Sequence, residues 1–103
     1  MKKNITLFCA MGMSTSLIVA KMKEEATKCN EEYEIAAYPY SEYTKYADQA
    51  DVIFLGPQVR FYLNEIKSKY PNKMIEVIDL KIYGKCDGPA LLKRAQELIK
   101  SQN

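Results

Sequence analysis

Cys9 is the residue of this chain whose surroundings most favour chemistry. It closes an apolar run over residues 4–9, and a short stretch rich in small and hydroxyl-bearing residues separates it from a helical pattern. The first N–H groups of a helix have no partner within the helix, and the helix dipole makes that end positive. Such an end binds anions and favours the thiolate form of a cysteine, which is the nucleophile. The spacing therefore predicts a cysteine that accepts a phosphoryl group and backbone amides that hold it.

The segment from residue 10 to residue 16 supplies the contacts that such a group would need. Ala10 is small and Gly12 permits a positive φ, so backbone N–H groups can close around a bound anion. Ser14, Thr15 and Ser16 offer three hydroxyls where capping of the helix needs only one. A strand-end cysteine is often just a small buried hydrophobic residue, but this surplus of hydroxyls favours a ligand. We expect the phosphate-binding loop to consist of Ala10, Met11, Gly12, Met13, Ser14, Thr15 and Ser16.

The composition predicts one soluble domain spanning residues 1–103. Apolar residues make up 48% of the chain and charged residues 27%, which is ordinary for a globular protein. The net charge is only +2, and no stretch concentrates Lys and Arg, so we expect no nucleic-acid partner. No stretch approaches the ~20 apolar residues of a membrane span, so we expect a cytoplasmic protein that is not inserted into the membrane.

Histidine is absent, and the three cysteines lie at positions 9, 29 and 86. The absence of histidine excludes Cys-His and Ser-His-Asp nucleophile systems and any phosphohistidine within this chain. The odd number of widely spaced cysteines is typical of a reducing compartment, and without a Cys-x-x-Cys pair we expect no metal site. Cys29 is predicted to be a buried packing residue and Cys86 to lie in a loop.

Short apolar runs alternate with helical patterns, which predicts a parallel sheet covered by helices. The predicted strands cover residues 4–9, 33–38, 51–55 and 74–78. The predicted helices cover residues 14–29 and 41–49, a stretch from the 56–58 turn to residue 70, and a last stretch that opens at residues 87–89. Ile18, Met22 and Ala26 recur at helical spacing on the first helix, and Val59, Tyr62, Leu63, Ile66 and Tyr70 on the third.

Right-handed crossovers and the rule for doubly wound sheets predict the strand order 2-1-3-4, with helices on both faces. In that order the topological switch point lies between the first and third strands, and ligands bind outside their carboxyl ends. Cys9 and the segment Gly56-Pro57-Gln58 would be neighbours there. The α/β fold thus predicts one crevice, with Gln58 inside it or facing a partner.

The segment around Cys9 resembles the loop of low-molecular-weight tyrosine phosphatases, which have Cys, five residues, then Arg and Ser. Here Thr15 stands in the place of that arginine, and the two arginines of the chain, Arg60 and Arg94, fall on other predicted helices. A phosphatase needs the arginine to clamp the transition state and an acid for the leaving group. A phosphocysteine formed here would therefore be held but not quickly hydrolysed.

A closer resemblance covers nearly the whole chain. The segment Leu7-Phe8-Cys9-Ala10-Met11-Gly12-Met13-Ser14-Thr15-Ser16-Leu17 resembles the phosphocysteine loop of the IIB proteins of the sugar phosphotransferase system, lactose/cellobiose (chitobiose) family. Residues 50–58 look like the third strand and turn of that family. Residues 77–79, 83–84 and 87–88 look like its fourth strand and the loop into its last helix. Tyr83 is accordingly a second candidate for a crevice or partner-facing residue.

This resemblance implies a mechanism. Cys9 would take a phosphoryl group from a phosphohistidine of a partner IIA protein and pass it to a sugar held by a membrane IIC protein. The sugar would be a β-linked disaccharide such as cellobiose, chitobiose or lactose, without a choice among them. No cofactor or metal is implied, since the donor is not a nucleotide. The protein would be cytoplasmic and would meet IIC transiently at the inner face of the membrane.

Two other functions remain open from the sequence. One is an enzyme resembling a low-molecular-weight tyrosine phosphatase or an arsenate reductase, disfavoured by Thr15 and by the lack of an evident general acid. The other is a non-catalytic module that senses a phosphorylated ligand. Replacing Cys9 by Ser would abolish a carrier but leave such a sensor largely intact.

Overall fold

Strands and helices alternate in the computed structural model, which describes residues 2–10 and 13–101. The strands are β1 (Lys3–Cys9), β2 (Tyr33–Pro39), β3 (Val52–Leu55) and β4 (Met74–Val77). The α-helices are α1 (Met13–Lys28), α2 (Tyr43–Tyr46), α3 (Leu63–Lys69), α4 (Leu80–Gly84) and α5 (Gly88–Ser101). Short 3₁₀ segments flank α2 (Tyr40–Glu42 and Ala47–Gln49) and precede α3 (Pro57–Tyr62).

The four strands form one parallel sheet in the order β2-β1-β3-β4, which confirms the predicted topology. The central strand β1 pairs with β2 through Cys9, which lies opposite Pro39. Its pairing with β3 ends one residue earlier, where Phe8 lies opposite Leu55. Cys9 therefore stands at the carboxyl edge of the sheet, just beyond the last paired residue of β3.

Each face of the sheet carries its own apolar core because successive strand residues point to opposite faces. The face covered by α1 and α5 includes Ile5, Leu7, Val52, Phe54, Ile18, Met22, Leu91, Leu92 and Ala95. The other face, covered by the segments between β2 and β3 and by α3, includes Phe8, Ile53, Leu55, Tyr43, Ala47, Val59 and Ile66. Helices on both faces were predicted, and the two cores confirm them.

The prediction that Cys29 packs in the core is wrong. Helix α1 ends at Lys28, one residue earlier than expected, and Asn30 turns the chain with a φ of 56°. Cys29 is exposed, with its Sγ 3.7 Å from Glu25 Oε2. Partial desolvation and this carboxylate raise the pKa of the Cys29 thiol.

The predicted core face of the third helix is right for Val59 and Ile66, which are buried, and wrong for Tyr62, which is 42% exposed. Residues 57–62 form 3₁₀ turns with a kink at Val59 (φ −115°, ψ 20°), and both the three residues per turn and the kink shift the phase of the pattern. Tyr62 instead stacks on Tyr40, with ring centroids 4.3 Å apart.

Candidate functional site

The thiol of Cys9 lies at the carboxyl end of β1, and its side chain is only 6% exposed. Sγ approaches the carbonyl oxygen of Tyr38 at 3.9 Å, the geometry of a weak S–H hydrogen bond. A thiolate or a phosphorylated sulfur cannot donate that bond. A group attached to this sulfur would therefore have to be held by other contacts.

Gly56 provides the space beside Cys9. Its N–H donates to the carbonyl of Phe8 at 2.8 Å, which extends the alignment of β1 and β3 by one residue. Its backbone (φ −61°, ψ 152°) suits any residue, so the reason for glycine is room. A Cβ on Gly56 would lie 3.5 Å from Cys9 Cβ and 3.3 Å from Gln58 Oε1. Cys9 and Gln58 thus face the same small volume, and the adjacency predicted from the topology is present.

The turn after β3 fixes where the Gln58 amide lies. Pro57 is buried at the first position of the 3₁₀ helix, and the N–H of Val59 donates to the Gly56 carbonyl at 3.0 Å. Gln58 itself is exposed between these two buried residues. Its amide can therefore turn toward Cys9 or toward a partner, because the backbone on either side is held.

Arg60 belongs to this same turn, at the start of the predicted third helix. Its Nη1 donates to the Pro57 carbonyl at 2.9 Å, and its guanidinium lies 4.5 Å from the ring centre of Phe61. The sequence offered one signal for its place near the site: Arg60 is only two residues beyond Gln58, which was already predicted to lie in the crevice. Arg94, by contrast, pairs with Glu76 through Nε and Nη2 at 2.7 and 2.6 Å.

Thr15 lies in the first turn of α1 and is 1% exposed. Its Oγ1 lies 3.2 Å from the hydroxyl oxygen of Tyr83, so one hydroxyl donates to the other. Ala10 and Ser16 are exposed on either side of this region. The structure thus brings both Thr15 and Tyr83 to the helix start that follows Cys9.

Tyr83 is carried by α4, a helix of five residues in a segment that was predicted to be loop. Asp79 caps it, because its Oδ1 accepts the N–H groups of Lys81 at 2.8 Å and Ile82 at 3.3 Å. An aspartate directly after a strand was the only local signal for this helix, since five residues are too few for a periodic pattern.

Four residues of the predicted phosphate-binding loop are described in part or not at all. Met11 and Gly12 lie outside the described residues. Met13 and Ser14 form the first backbone positions of α1, and only their backbone is described. The helix nevertheless begins three residues after Ala10, as a helix-terminus anion site after Cys9 requires.

The other cysteines lie elsewhere. Cys86, which has a φ of 50°, lines a groove with Lys21, Lys85 and Asp87. Lys21 is about 9 Å further along α1 than Thr15, at 1.5 Å per residue. Cys29 follows the opposite end of α1 from Thr15. Cys9 is therefore the one cysteine that combines the carboxyl edge of the sheet with the start of α1.

Two further observations concern metal binding and membrane spans. Within the described parts of the chain, no group of three or more Cys, Asp or Glu side chains could hold a metal ion. None of the helices in residues 2–10 and 13–101 is long and apolar enough to cross a membrane.

A cysteine that ends a central parallel strand beside a helix start defines a class of α/β domains suited to handling a phosphoryl group. The family model for "PTS system, Lactose/Cellobiose specific IIB subunit" matches residues 4–94. The chain belongs to this family of IIB subunits of the sugar phosphotransferase system, and its activity is that of a phosphotransferase, a phosphoryl carrier for sugar transport. IIB components of these systems work with IIA and IIC partners.

Individual relatives cover almost the whole chain. The PTS system oligo-beta-mannoside-specific EIIB component of Bacillus subtilis is 39% identical over 102 residues, 97% of this chain and 99% of that protein. The galactose-specific EIIB component of Lactococcus lactis subsp. cremoris is 36% identical over 104 residues, 94% of this chain and 96% of that protein. The solution structure of the cellobiose-specific IIB component of Borrelia burgdorferi superposes with a TM-score of 0.82 at 30% identity, covering 98% of this chain and 94% of that one.

Proposed function

We propose that Cys9 is the residue that carries the phosphoryl group. The observation that supports this most is its position, at the carboxyl end of a central strand and beside the space left by Gly56, with α1 starting just beyond residue 12. Cys29 is exposed in the turn after α1. Cys86 precedes α5 and lines a groove with Lys21 and Lys85, but it does not end a strand of the sheet.

The transfer consists of two displacements. The sulfur of Cys9 attacks the phosphorus of a phosphohistidine on a IIA protein, so that an S–P bond forms, the P–N bond breaks, and the histidine nitrogen takes the proton released by the thiol. A sugar hydroxyl presented by a IIC protein then attacks the same phosphorus. The O–P bond forms, the S–P bond breaks, and the proton released by the hydroxyl restores the thiol.

The groups that hold the phosphoryl group are the backbone amides of residues 10–16 and the hydroxyls of Ser14, Thr15 and Ser16. The side-chain amide of Gln58 reaches the same space, because its Oε1 and the Cβ of Cys9 both lie within about 3.5 Å of one point beside Gly56. Oε1 is an acceptor, so a phosphoryl dianion there selects the rotated amide, in which Nε2 donates from the β3 side. N–H donors aimed at a dianion stabilise it without supplying a proton, which suits storage of the group.

The carrier function is favoured over hydrolysis by the groups near the site. Thr15 stands in the place of the phosphatase arginine. Arg60 donates to the Pro57 carbonyl, and Arg94 pairs with Glu76. The two acidic residues that flank α4 are both used as helix caps: Asp79 for α4, and Asp87 for α5 through the N–H of Ala90 at 3.1 Å. Hydrolysis would need a clamp and an acid that these residues do not offer.

Exposed apolar side chains around the carboxyl edge support docking of the two partners. Leu17, Phe61 and Leu80 follow β1, β3 and β4, and they are 48%, 77% and 73% exposed. Exposed apolar side chains around such a crevice suit transient protein contacts. We propose that phospho-IIA and then the membrane protein IIC dock here, at the cytoplasmic face of the membrane.

The sugar is proposed to be a β-linked disaccharide of the cellobiose, chitobiose or lactose type. The relatives named above are specific for oligo-beta-mannosides, galactose and cellobiose. Relatives of similar length and fold thus serve different sugars, so the choice among sugars rests on the IIC partner.

Reconstituted transport tests the function. Phosphoenolpyruvate, the general phosphotransferase proteins, a cognate IIA and membranes containing IIC are incubated with cellobiose, chitobiose or lactose, and sugar phosphate is measured. We expect sugar phosphate with the wild type and with Cys29→Ser, and none with Cys9→Ser. Release of inorganic phosphate without sugar phosphate would instead indicate a phosphatase. Undiminished sugar phosphate with Cys9→Ser would contradict the proposal.

A further inference from the structure

The pair formed by Thr15 and Tyr83 joins two elements that are far apart in the sequence. Helix α4 follows the edge strand β4, whereas α1 follows the central strand β1, and β3 lies between those strands. The Tyr83 side chain therefore spans the carboxyl edge of the sheet to reach the first turn of α1. Its hydroxyl and that of Thr15 meet at 3.2 Å in a region where Thr15 is almost fully buried.

Each of these hydroxyls has one proton to donate, so the direction of the bond matters. If Thr15 donates to Tyr83, its single proton is used and it has none for a ligand. If Tyr83 donates to Thr15, the Thr15 proton stays free. A phosphoryl dianion is an acceptor only, and it therefore selects the second arrangement.

We propose that Tyr83 is a positioning residue for phosphoryl transfer. It donates its O–H to Thr15 Oγ1, and this directs the Thr15 proton toward the phosphoryl group on Cys9. This inference rests on the proposed role of Cys9 and adds to it a second residue that acts through Thr15 without touching the phosphoryl group.

The local structure supports this role. Tyr83 is half-buried against the core that α1 and α5 share. Its helix is fixed at the start by the two hydrogen bonds that Asp79 accepts. At the other end, the N–H of Lys85 donates to the Lys81 carbonyl at 3.1 Å. A hydroxyl held in this way can orient its neighbour at little further entropic cost.

The test measures the rate of phosphorylation of Cys9 by phospho-IIA and the rate of spontaneous loss of the phosphoryl group. The variants are Tyr83→Phe, Thr15→Val, Thr15→Ser and the double variant Tyr83→Phe/Thr15→Val. Tyr46→Phe is the matched control, because Tyr46 stacks on Tyr38 at a centroid distance of 3.6 Å and packs against the core on the other face of the sheet. Urea unfolding of each variant reports any effect on stability separately.

We expect Tyr83→Phe to slow phosphorylation by up to about tenfold, the upper end of the effect of one hydrogen bond between neutral groups. Thr15→Val should slow it at least as much, and the double variant should be no slower than Thr15→Val, because Tyr83 acts only through Thr15. Thr15→Ser keeps the hydroxyl and should stay within about twofold of the wild type, as should Tyr46→Phe.

A purely structural role of Tyr83 would change the free energy of unfolding without changing these rates. A titration of the phosphoryl group separates a structural role from a positioning role. The ³¹P resonance of phosphocysteine should titrate at a higher pH in Tyr83→Phe than in the wild type, since a donor to the dianion has been weakened. Wild-type transfer rates in folded Tyr83→Phe, or fully additive losses in the double variant, would overturn the inference. Such a result leaves Cys9 in place, whereas a wild type that gains no phosphoryl group on Cys9 would overturn the proposed function itself.

Discussion

Gly56 lies beside Cys9 at the ends of β3 and β1, where a methyl group on residue 56 would be in van der Waals contact with Cys9 Cβ at 3.5 Å. The same methyl group would crowd Gln58 Oε1 at 3.3 Å. The space between the strand ends is therefore kept by the absence of a side chain. A phosphoryl group on Cys9 needs such a space.

Gly56→Ala should leave the fold intact, because the backbone angles of Gly56 suit alanine, and should slow phosphorylation of Cys9 by about tenfold or more through displacement of Gln58. The measurement is the rate of phosphoryl uptake from phospho-IIA. In a Gln58→Ala background the added methyl group has no Gln58 side chain to displace. Gly56→Ala should therefore slow phosphorylation less in that background than in the wild type. Full wild-type activity of folded Gly56→Ala would show that this space is not used.

Thr15→Arg should shorten the lifetime of phosphocysteine, because a guanidinium can chelate two phosphoryl oxygens and stabilise the charge that develops during hydrolysis. We also expect a loss of stability, since Thr15 is buried beside Tyr83. Intact mass over time after removal of the donor gives the lifetime. Thr15→Lys is the control, because it adds a positive charge without the planar guanidinium. It should accelerate the loss of the phosphoryl group less than Thr15→Arg does. An unchanged or longer lifetime in folded Thr15→Arg would count against this account.

Gly88→Ala should destabilise the protein by roughly 1–3 kcal/mol, the usual cost of overpacking. Helix α5 starts against the backbone of α1, and a Cβ on Gly88 would lie 2.5 Å from Lys21 Cβ and 2.7 Å from the backbone nitrogen of Met22. Urea unfolding measures the change. Gly84→Ala is the matched control: its added Cβ meets no described atom within 4 Å, so we expect no loss of stability. Equal stability of the two variants would refute the close packing of α1 and α5.

Leu80→Ser should slow transfer from phospho-IIA several-fold and leave the free energy of unfolding within about 0.5 kcal/mol of the wild type, as is usual for an exposed side chain. Leu80 is 73% exposed at the edge where partners must approach Cys9. Glu32→Ser, exposed just before β2 at the opposite edge of the sheet, is the control and should transfer normally. Identical rates for the two variants would remove Leu80 from the docking surface.

The sequence was sufficient to predict the order of the strands and the place of Cys9 at the carboxyl edge of the sheet. Four apolar runs and the right-handedness of parallel crossovers leave few possible strand orders. Burial around Cys29 and Tyr62 was mispredicted for local reasons: α1 ends one residue early, and a 3₁₀ turn replaces the first part of the third helix. The contact between Thr15 and Tyr83 could not be read from the sequence. It joins residues 68 positions apart and depends on α4, which is too short to show a pattern.

The central claim is that the phosphoryl group resides on Cys9, and its position on the chain is the most direct measurement. The protein is phosphorylated with phosphoenolpyruvate, the general phosphotransferase proteins and IIA, and the modified peptide is then identified by mass spectrometry under conditions that preserve the S–P bond. The account predicts one phosphoryl group, on Cys9, that is absent from Cys9→Ser and unchanged in Cys29→Ser and Cys86→Ser. A phosphoryl group on Cys86 or on Ser14, with Cys9 unmodified, would contradict it.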